Sequence, residues 1–80
     1  MTVLEFGKKL REMYEIKGAN KVAMVHLFGI IYADQMNKAG IKPLEVAIAA
    51  QISESYWTEI NKGKNLARYV ELKPEYAGKF

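Results

Sequence analysis

The segment 46–63 constrains the fold more than any other part of this chain. It reads VAIAAQISESYWTEINKG, with apolar residues at helical spacing on both sides of a short stretch around Ser53. Apolar residues that recur every three or four positions indicate a helix with one buried face. The segment therefore predicts two short helices joined by a tight bend.

The residues around this bend have the spacing of a helix-turn-helix, a motif that places its second helix in a DNA groove. Ala47 is small enough to let the second helix cross closely, and Ile52 is expected beneath the bend. Trp57 and Ile60 are expected to face inward from the second helix. Gln51 stands where glycine is common, so it must adopt a less favourable backbone angle or lengthen the turn. The alternative is two consecutive helices in an all-α bundle.

The amino-terminal residues predict an amphipathic helix. Thr2 and Glu5 fit a capping box, in which each side chain bonds the backbone amide of the other. Apolar residues follow at steps of three and four: Val3, Phe6, Leu10 and Met13. The helix is expected to end near Lys17, with Gly18 as its stop.

A second helix is predicted from about Ala23 to Ala39, with Gly40 as its stop. A strand-like start at residues 21–22 is the alternative for its first residues. The helix is apolar on most sides, which indicates burial on most sides. It is therefore either the central helix of the domain or also a dimer contact.

The remaining elements follow from local signals. Pro43 suits the first turn of a third helix, and Ser53 suits the cap of a fourth helix that Gly63 closes. Residues 66–72 are rich in strand-forming types and predict an extended segment, such as the edge of a two-stranded wing. Residues 74–80 are expected to be a loose tail.

The fold class predicted is mainly all-α: one four-helix, helix-turn-helix-like domain over residues 1–80, with a short carboxy-terminal extended or wing-like strand. A chain of 80 residues buries a thin core, and half of its residues are hydrophobic. A homodimer would add apolar burial, so we expect one.

Composition excludes several classes of protein. The chain has no cysteine, so it has no disulfide framework and no thiolate metal site. The longest apolar run, 22–33, is too short to span a bilayer, and no signal peptide is visible. We therefore expect no membrane partner and a cytoplasmic location, in a bacterial cell or a phage-infected host. The net charge of +3 is weak support for a nucleic-acid partner.

No pattern predicts an enzyme, a metal site or a cofactor. His26 is the only histidine, and it is expected to be a buried, hydrogen-bonded side chain rather than a ligand. Ser53 and Ser55 are interpreted as a cap and a surface hydroxyl, because no motif places a base beside them. We therefore predict no catalytic residues.

The whole chain resembles a family of small helix-turn-helix-like domains from bacteria and phages, over roughly residues 3–72. The resemblance is carried by HLFGI at 26–30, YA at 32–33, ESY at 54–56, TEI at 58–60, KG at 62–63, LA at 66–67 and YV at 69–70. Such domains occur alone or attached to other modules, some of restriction or defence type. The resemblance implies a prokaryotic or phage setting and brings no catalytic residues.

Two sets of residues are candidates for binding. If the fourth helix reads DNA, its outward residues are expected to be Glu54, Ser55, Thr58, Glu59 and Lys62. A carboxylate can accept from the amino group of cytosine, but it more often repels phosphate. A basic cluster could hold phosphates or could be a solvated surface: Lys62, Lys64, Arg68 and Lys73.

The first hypothesis for function is a DNA-binding module, acting as a dimer in a regulatory or phage–host setting. The alternative is a protein-interaction module, such as an adaptor or a phage-encoded inhibitor that binds a host protein complex. The mixed charge of the fourth helix and a surplus of aromatic residues favour that alternative. Five aromatic residues have helical spacing that indicates core packing: Tyr14, Tyr32, Tyr56, Trp57 and Tyr69.

Overall fold

Four α-helices form the fold in a computed structural model that describes all residues, 1–80. They are α1 (Val3–Tyr14), α2 (Lys21–Ala39), α3 (Pro43–Ala49) and α4 (Trp57–Leu66), and a 3-10 turn at Glu54–Tyr56 leads directly into α4. None of the helices has the length and apolarity needed to cross a membrane. The all-α, four-helix prediction is confirmed.

Helix α1 begins as its sequence predicts. The Thr2 side chain accepts from the Glu5 amide at 3.2 Å, and the Glu5 carboxylate accepts from the Thr2 amide at 2.8 Å. The helix ends at Tyr14 rather than near Lys17. Its last buried residue is Met13, and Ile16 beyond its end is 38% exposed.

Helix α2 begins at Lys21, so the predicted start at Ala23 and the strand-like alternative for residues 21–22 are wrong. The Asn20 side chain caps it by accepting from the Ala23 amide at 2.9 Å. That capping bond favours helix from the first residue after Asn20. Gly40 ends α2 in a left-handed conformation, as predicted, with a φ of 68°.

The core lies around α2, which packs against both α1 and α4. Its largest fully buried side chains come from all four helices: Phe6, Phe28, Leu10, Met36, Ile60, Val25 and Val46. Helix α2 is therefore the central helix of the domain.

The predicted wing strand is absent. Leu66 is the last residue of α4, and the Tyr69 amide donates to its carbonyl at 2.9 Å, so the chain leaves the helix through turns. Residues 70–73 have no regular structure. Strand-forming side chains do not make a sheet without a second strand to pair with, and this chain offers none. Phe80 packs against the core, while the looseness predicted for 74–80 stays a prediction.

Two glycines let α2 and α4 approach almost to backbone contact. A Cβ on Gly63 would lie 2.3 Å from the His26 carbonyl oxygen, and one on Gly29 would lie 2.4 Å from the Ile60 carbonyl oxygen. Gly63 is buried inside α4, so its predicted role as the stop of that helix is wrong. The contact fixes which face of α4 turns away from the domain.

The turn between α3 and the 3-10 segment has the four residues 50–53. Ala47 is fully buried and Ile52 packs against the core, as predicted. Gln51 adopts the strained angle that its position implies, with a φ of 59°. The Arg11 guanidinium donates to the carbonyls of Ala50 and Gln51, at 3.3 and 3.0 Å, and so ties α1 to the turn.

The predicted cap at Ser53 does not form. Its side chain makes no capping bond, and its hydroxyl lies 2.8 Å from that of Ser55. The segment that follows is a 3-10 turn rather than the first turn of an α-helix, which changes where the backbone amides point.

Gln51→Gly is expected to raise the free energy of unfolding by up to about 1 kcal/mol. A left-handed angle costs an L-residue about 1–2 kcal/mol, and the greater freedom of glycine in the unfolded chain offsets part of the gain. Urea unfolding measures the change. The matched control, Gln35→Gly on the exposed face of α2, should lose about 1 kcal/mol. Equal losses of unfolding free energy in the two variants would show that the backbone of Gln51 is not strained.

Candidate nucleic-acid interface

The outward face of α4 is polar. Successive residues turn by about 100°, so the residues opposite buried Ile60 and Gly63 face away from the core. These residues are Thr58, Asn61, Lys62 and Asn65. They present one hydroxyl, two carboxamides and one ammonium group.

Thr58 and Lys62 were predicted on this face, whereas Asn61 and Asn65 were not. The sequence interpretation placed Trp57 inward together with Ile60, which rotates the assumed face of the helix. Trp57 is in fact 43% exposed, and half-buried Tyr56 packs against the core instead. A helical wheel centred on Ile60 and Gly63 would have found both asparagines.

The other predicted binding residues lie outside this outward face. Glu54 and Ser55 are exposed in the 3-10 turn, where the Ser55 carbonyl accepts from the Thr58 hydroxyl at 2.9 Å. Lys64 and Arg68 lie beyond the outward face, on the side of α4 that faces the carboxy-terminal half of α2. Lys73 lies apart from them, beside the carboxy-terminal tail and Met24.

Glu59 is turned back toward α2. Its carboxylate is hydrogen-bonded to the His26 ring, and the Lys62 ammonium lies 3.4 Å from its other oxygen. The hydrogen bond to His26, followed by the Lys62 contact, lowers the pKa of Glu59 below its ordinary value. His26 is half-buried and hydrogen-bonded, so Glu59, one of the two acids predicted on the DNA-facing side, is bonded within the domain.

The lowered pKa of Glu59 predicts a pH dependence of stability. A carboxyl whose pKa is lower in the folded state than in the unfolded state stabilises the fold at pH values above its ordinary pKa of about 4.5. That stabilisation is lost as the pH falls through the lowered pKa of the folded state. We expect Glu59→Gln to be less stable than the unmutated protein at neutral pH and to converge with it in acid. Thermal melts from neutral to acid pH measure this.

A matched control for this pH dependence is Glu75→Gln, which changes an exposed carboxyl without an ion pair. Its melting temperature should run parallel to that of the unmutated protein across the pH range. A Glu59→Gln profile that also runs parallel would contradict the role of the pair.

A polar cleft separates the carboxy-terminal halves of α2 and α4. Its volume is about 270 Å³, and alanines 33 and 67 are its apolar lining residues. Six polar side chains line the rest: Asp34, Asn37, Asn61, Lys64, Asn65 and Arg68. We call this feature the α2–α4 cleft.

Helix α3 presents an apolar surface instead. Leu44 and Ile48, one helical turn apart, are 41% and 53% exposed. Of the five aromatic residues predicted to pack in the core, Tyr32 is buried and Tyr14 and Tyr56 meet edge to face. Trp57 and Tyr69 are exposed, so that prediction is wrong for these two.

Comparison with known proteins agrees with this architecture. The model of a family described as an HTH-like domain matches residues 2–73. No curated protein and no solved structure matches the chain. The family match spans all four helices and the turn between α3 and α4, so this chain belongs to the family of HTH-like domains.

Proposed function

We propose that this protein is a DNA-binding module that inserts α4 into the major groove. The observation that carries the proposal is the arrangement of side chains around that helix. Amides and a hydroxyl occupy the centre of its outward face. Cations lie on both sides: Lys62 on one, Lys64 and Arg68 on the other.

This arrangement fits the chemistry of a groove. Thr58, Asn61 and Asn65 would meet base edges, since a carboxamide can bond adenine through two hydrogen bonds. The cations would meet the phosphates that line the two rims of the groove and set the register of the helix. Glu54 and Ser55 would lie where a recognition helix begins, within reach of bases.

The acidic residues near α4 are compatible with DNA binding. A free carboxylate at Glu59 would repel phosphate, but this one is hydrogen-bonded to His26 and lies 3.4 Å from the Lys62 ammonium. Only Glu54 remains as an exposed acid next to the face. The net charge near α4 therefore favours an anionic partner.

Salt-dependent binding tests the proposal. Fluorescence anisotropy of labelled duplex DNA, with the full chain at micromolar concentration, should show binding that weakens steeply as salt rises. The slope counts the phosphates neutralised, at about 0.9 per contact. Absence of any salt-sensitive binding at these concentrations would reject the proposal.

We further propose that the protein acts as a homodimer in a regulatory or phage-related setting, without catalytic activity. Helix α2 leaves Val22 42% exposed and Ile30 half-buried, which gives a second copy apolar surface to cover. Static light scattering should report a dimer. A monomer at high protein concentration would remove the dimer from the proposal.

The second candidate function is protein recognition through α3. Exposed Leu44 and Ile48 favour it, because an apolar pair gains little from a DNA backbone and suits the centre of a protein interface. A pull-down from host lysate with nuclease added separates the candidates. Capture of a protein that Leu44→Lys with Ile48→Lys abolishes, without loss of fold, would favour this function.

A further inference from the structure

We propose that the α2–α4 cleft binds a small phosphorylated ligand of mononucleotide size. This inference goes beyond DNA binding, since it gives the protein a second kind of ligand in a defined cavity. The cleft volume of about 270 Å³ lies just below the range of about 300–1,000 Å³ for small-molecule sites, so only a compact ligand fits. It fits one phosphate group and a compact polar body.

The polar side chains of the cleft are open to solvent and are not paired with other residues. None of the six forms a side-chain hydrogen bond or an ion pair with another residue. Some polar side chains elsewhere are paired: Arg11 bonds two carbonyls, Lys21 bonds the Tyr14 carbonyl, and Glu59 bonds His26. The hydrogen-bonding capacity of the cleft is therefore available to a ligand.

Opposite charges in the cleft stay apart. Asp34 comes from α2, Lys64 from α4 and Arg68 from the turn that follows α4, yet Asp34 makes no ion pair with either cation. Two cations and one carboxylate leave a net positive charge. A ligand bound between Asp34 and the two cations would contact charged groups on both sides of the cleft.

The donor set defines the class of ligand. Lys64 lies on α4 and Arg68 in the turn that follows it, and both line the cleft, which suits the oxygens of one phosphate. Asp34 accepts from a hydroxyl or amino group and disfavours a second anionic group. The carboxamides of Asn37, Asn61 and Asn65 both donate and accept, as a nucleobase or a sugar requires.

The cleft shares four residues with the proposed DNA interface: Asn61, Lys64, Asn65 and Arg68. A nucleotide in the cleft would occupy the cations expected to meet a phosphate rim, so it would weaken duplex binding. Binding of the nucleotide itself does not depend on whether the protein binds DNA. The two proposals can therefore fail separately.

Nuclear magnetic resonance tests the cleft on the full chain. Adenosine 5′-monophosphate should shift the side-chain amide signals of Asn37, Asn61 and Asn65, while the Asn20 signal, which reports the cap of α2, stays fixed. Adenosine and inorganic phosphate, each lacking half of the ligand, should bind about tenfold more weakly.

Matched variants complete the test. Lys64→Gln should weaken nucleotide binding about tenfold, whereas Lys38→Gln, the same charge change on α2 outside the cleft, should not. Unshifted asparagine signals at millimolar nucleotide, or equal effects of the two variants, would overturn the proposal. Shifts produced by duplex DNA but not by the nucleotide would also overturn it, and would assign the cleft to the DNA interface. Nucleotide shifts in a protein that binds no duplex would support the cleft and reject DNA binding.

Discussion

Gly63→Ala is expected to lower the free energy of unfolding by about 3 kcal/mol. The new Cβ would lie 2.3 Å from the His26 carbonyl oxygen and 3.0 Å from the Gly29 Cα, both backbone atoms. A flexible side chain could move aside, but here one whole helix must shift from the other. Overpacking of this kind costs roughly 1–3 kcal/mol, and backbone contacts belong at the upper end.

The loss is expected although alanine is the better helix former. Glycine inside a helix costs about 1 kcal/mol relative to alanine, so helix propensity alone predicts that Gly63→Ala stabilises. The sign of the change therefore separates the packing argument from the propensity argument. Gly29→Ala should behave in the same way, since its Cβ would meet the Ile60 carbonyl oxygen at 2.4 Å.

Urea unfolding of the three proteins measures these effects. Gly18→Ala is the control, because no atom lies within 4 Å of its new Cβ and only its φ of +82° opposes the change. It should lose about 1 kcal/mol from backbone strain alone. Stability equal to or above that of the unmutated protein for Gly63→Ala would show that α2 and α4 are not packed this closely.

The second large effect is expected in DNA binding. Lys64→Glu combined with Arg68→Glu should weaken binding to every duplex by about 100-fold, because two charge-assisted phosphate contacts are lost. The slope of log affinity against log salt should fall by about 2. Sequence preference should persist, since these residues are proposed to meet phosphates and not bases.

A charge-matched variant controls for net charge. Lys8→Glu with Lys17→Glu makes the same change on exposed residues of α1 and the loop that follows it, away from α4. It should alter affinity only through weak long-range attraction. Equal losses for the two double variants would show that net charge, rather than the flank of α4, attracts DNA. Circular dichroism should confirm that both variants keep their helices.

Much of the fold is readable from local patterns. The capping box of Thr2 and Glu5, Pro43 at the start of α3 and Gly40 at the end of α2 each act within one helical turn. Buried Ala47 and the strained angle of Gln51 follow from the spacing of a helix-turn-helix. The family resemblance pointed to the same architecture.

The candidate site was predicted less completely, because it depends on how α4 is rotated. Because Trp57 was predicted to face inward, the predicted outward face of α4 was rotated and left out Asn61 and Asn65. Neighbouring residues on a helix point in different directions, so the rotation decides which side chains face outward. A similar limit applies to residues 66–72, where side-chain type favoured a strand but a strand requires a partner elsewhere in the chain.

The sequence by itself determined where helices begin and turn, because capping, proline placement and apolar periodicity act over a few residues. Only the tertiary structure decided the close crossing of Gly29 and Gly63, the withdrawal of Glu59 to His26 and the assembly of the α2–α4 cleft. Each of these joins α2 to α4, roughly 30 residues apart in the chain. Contacts between residues so far apart in the chain leave no periodic signal in a single sequence, so only the packing of the helices determines them.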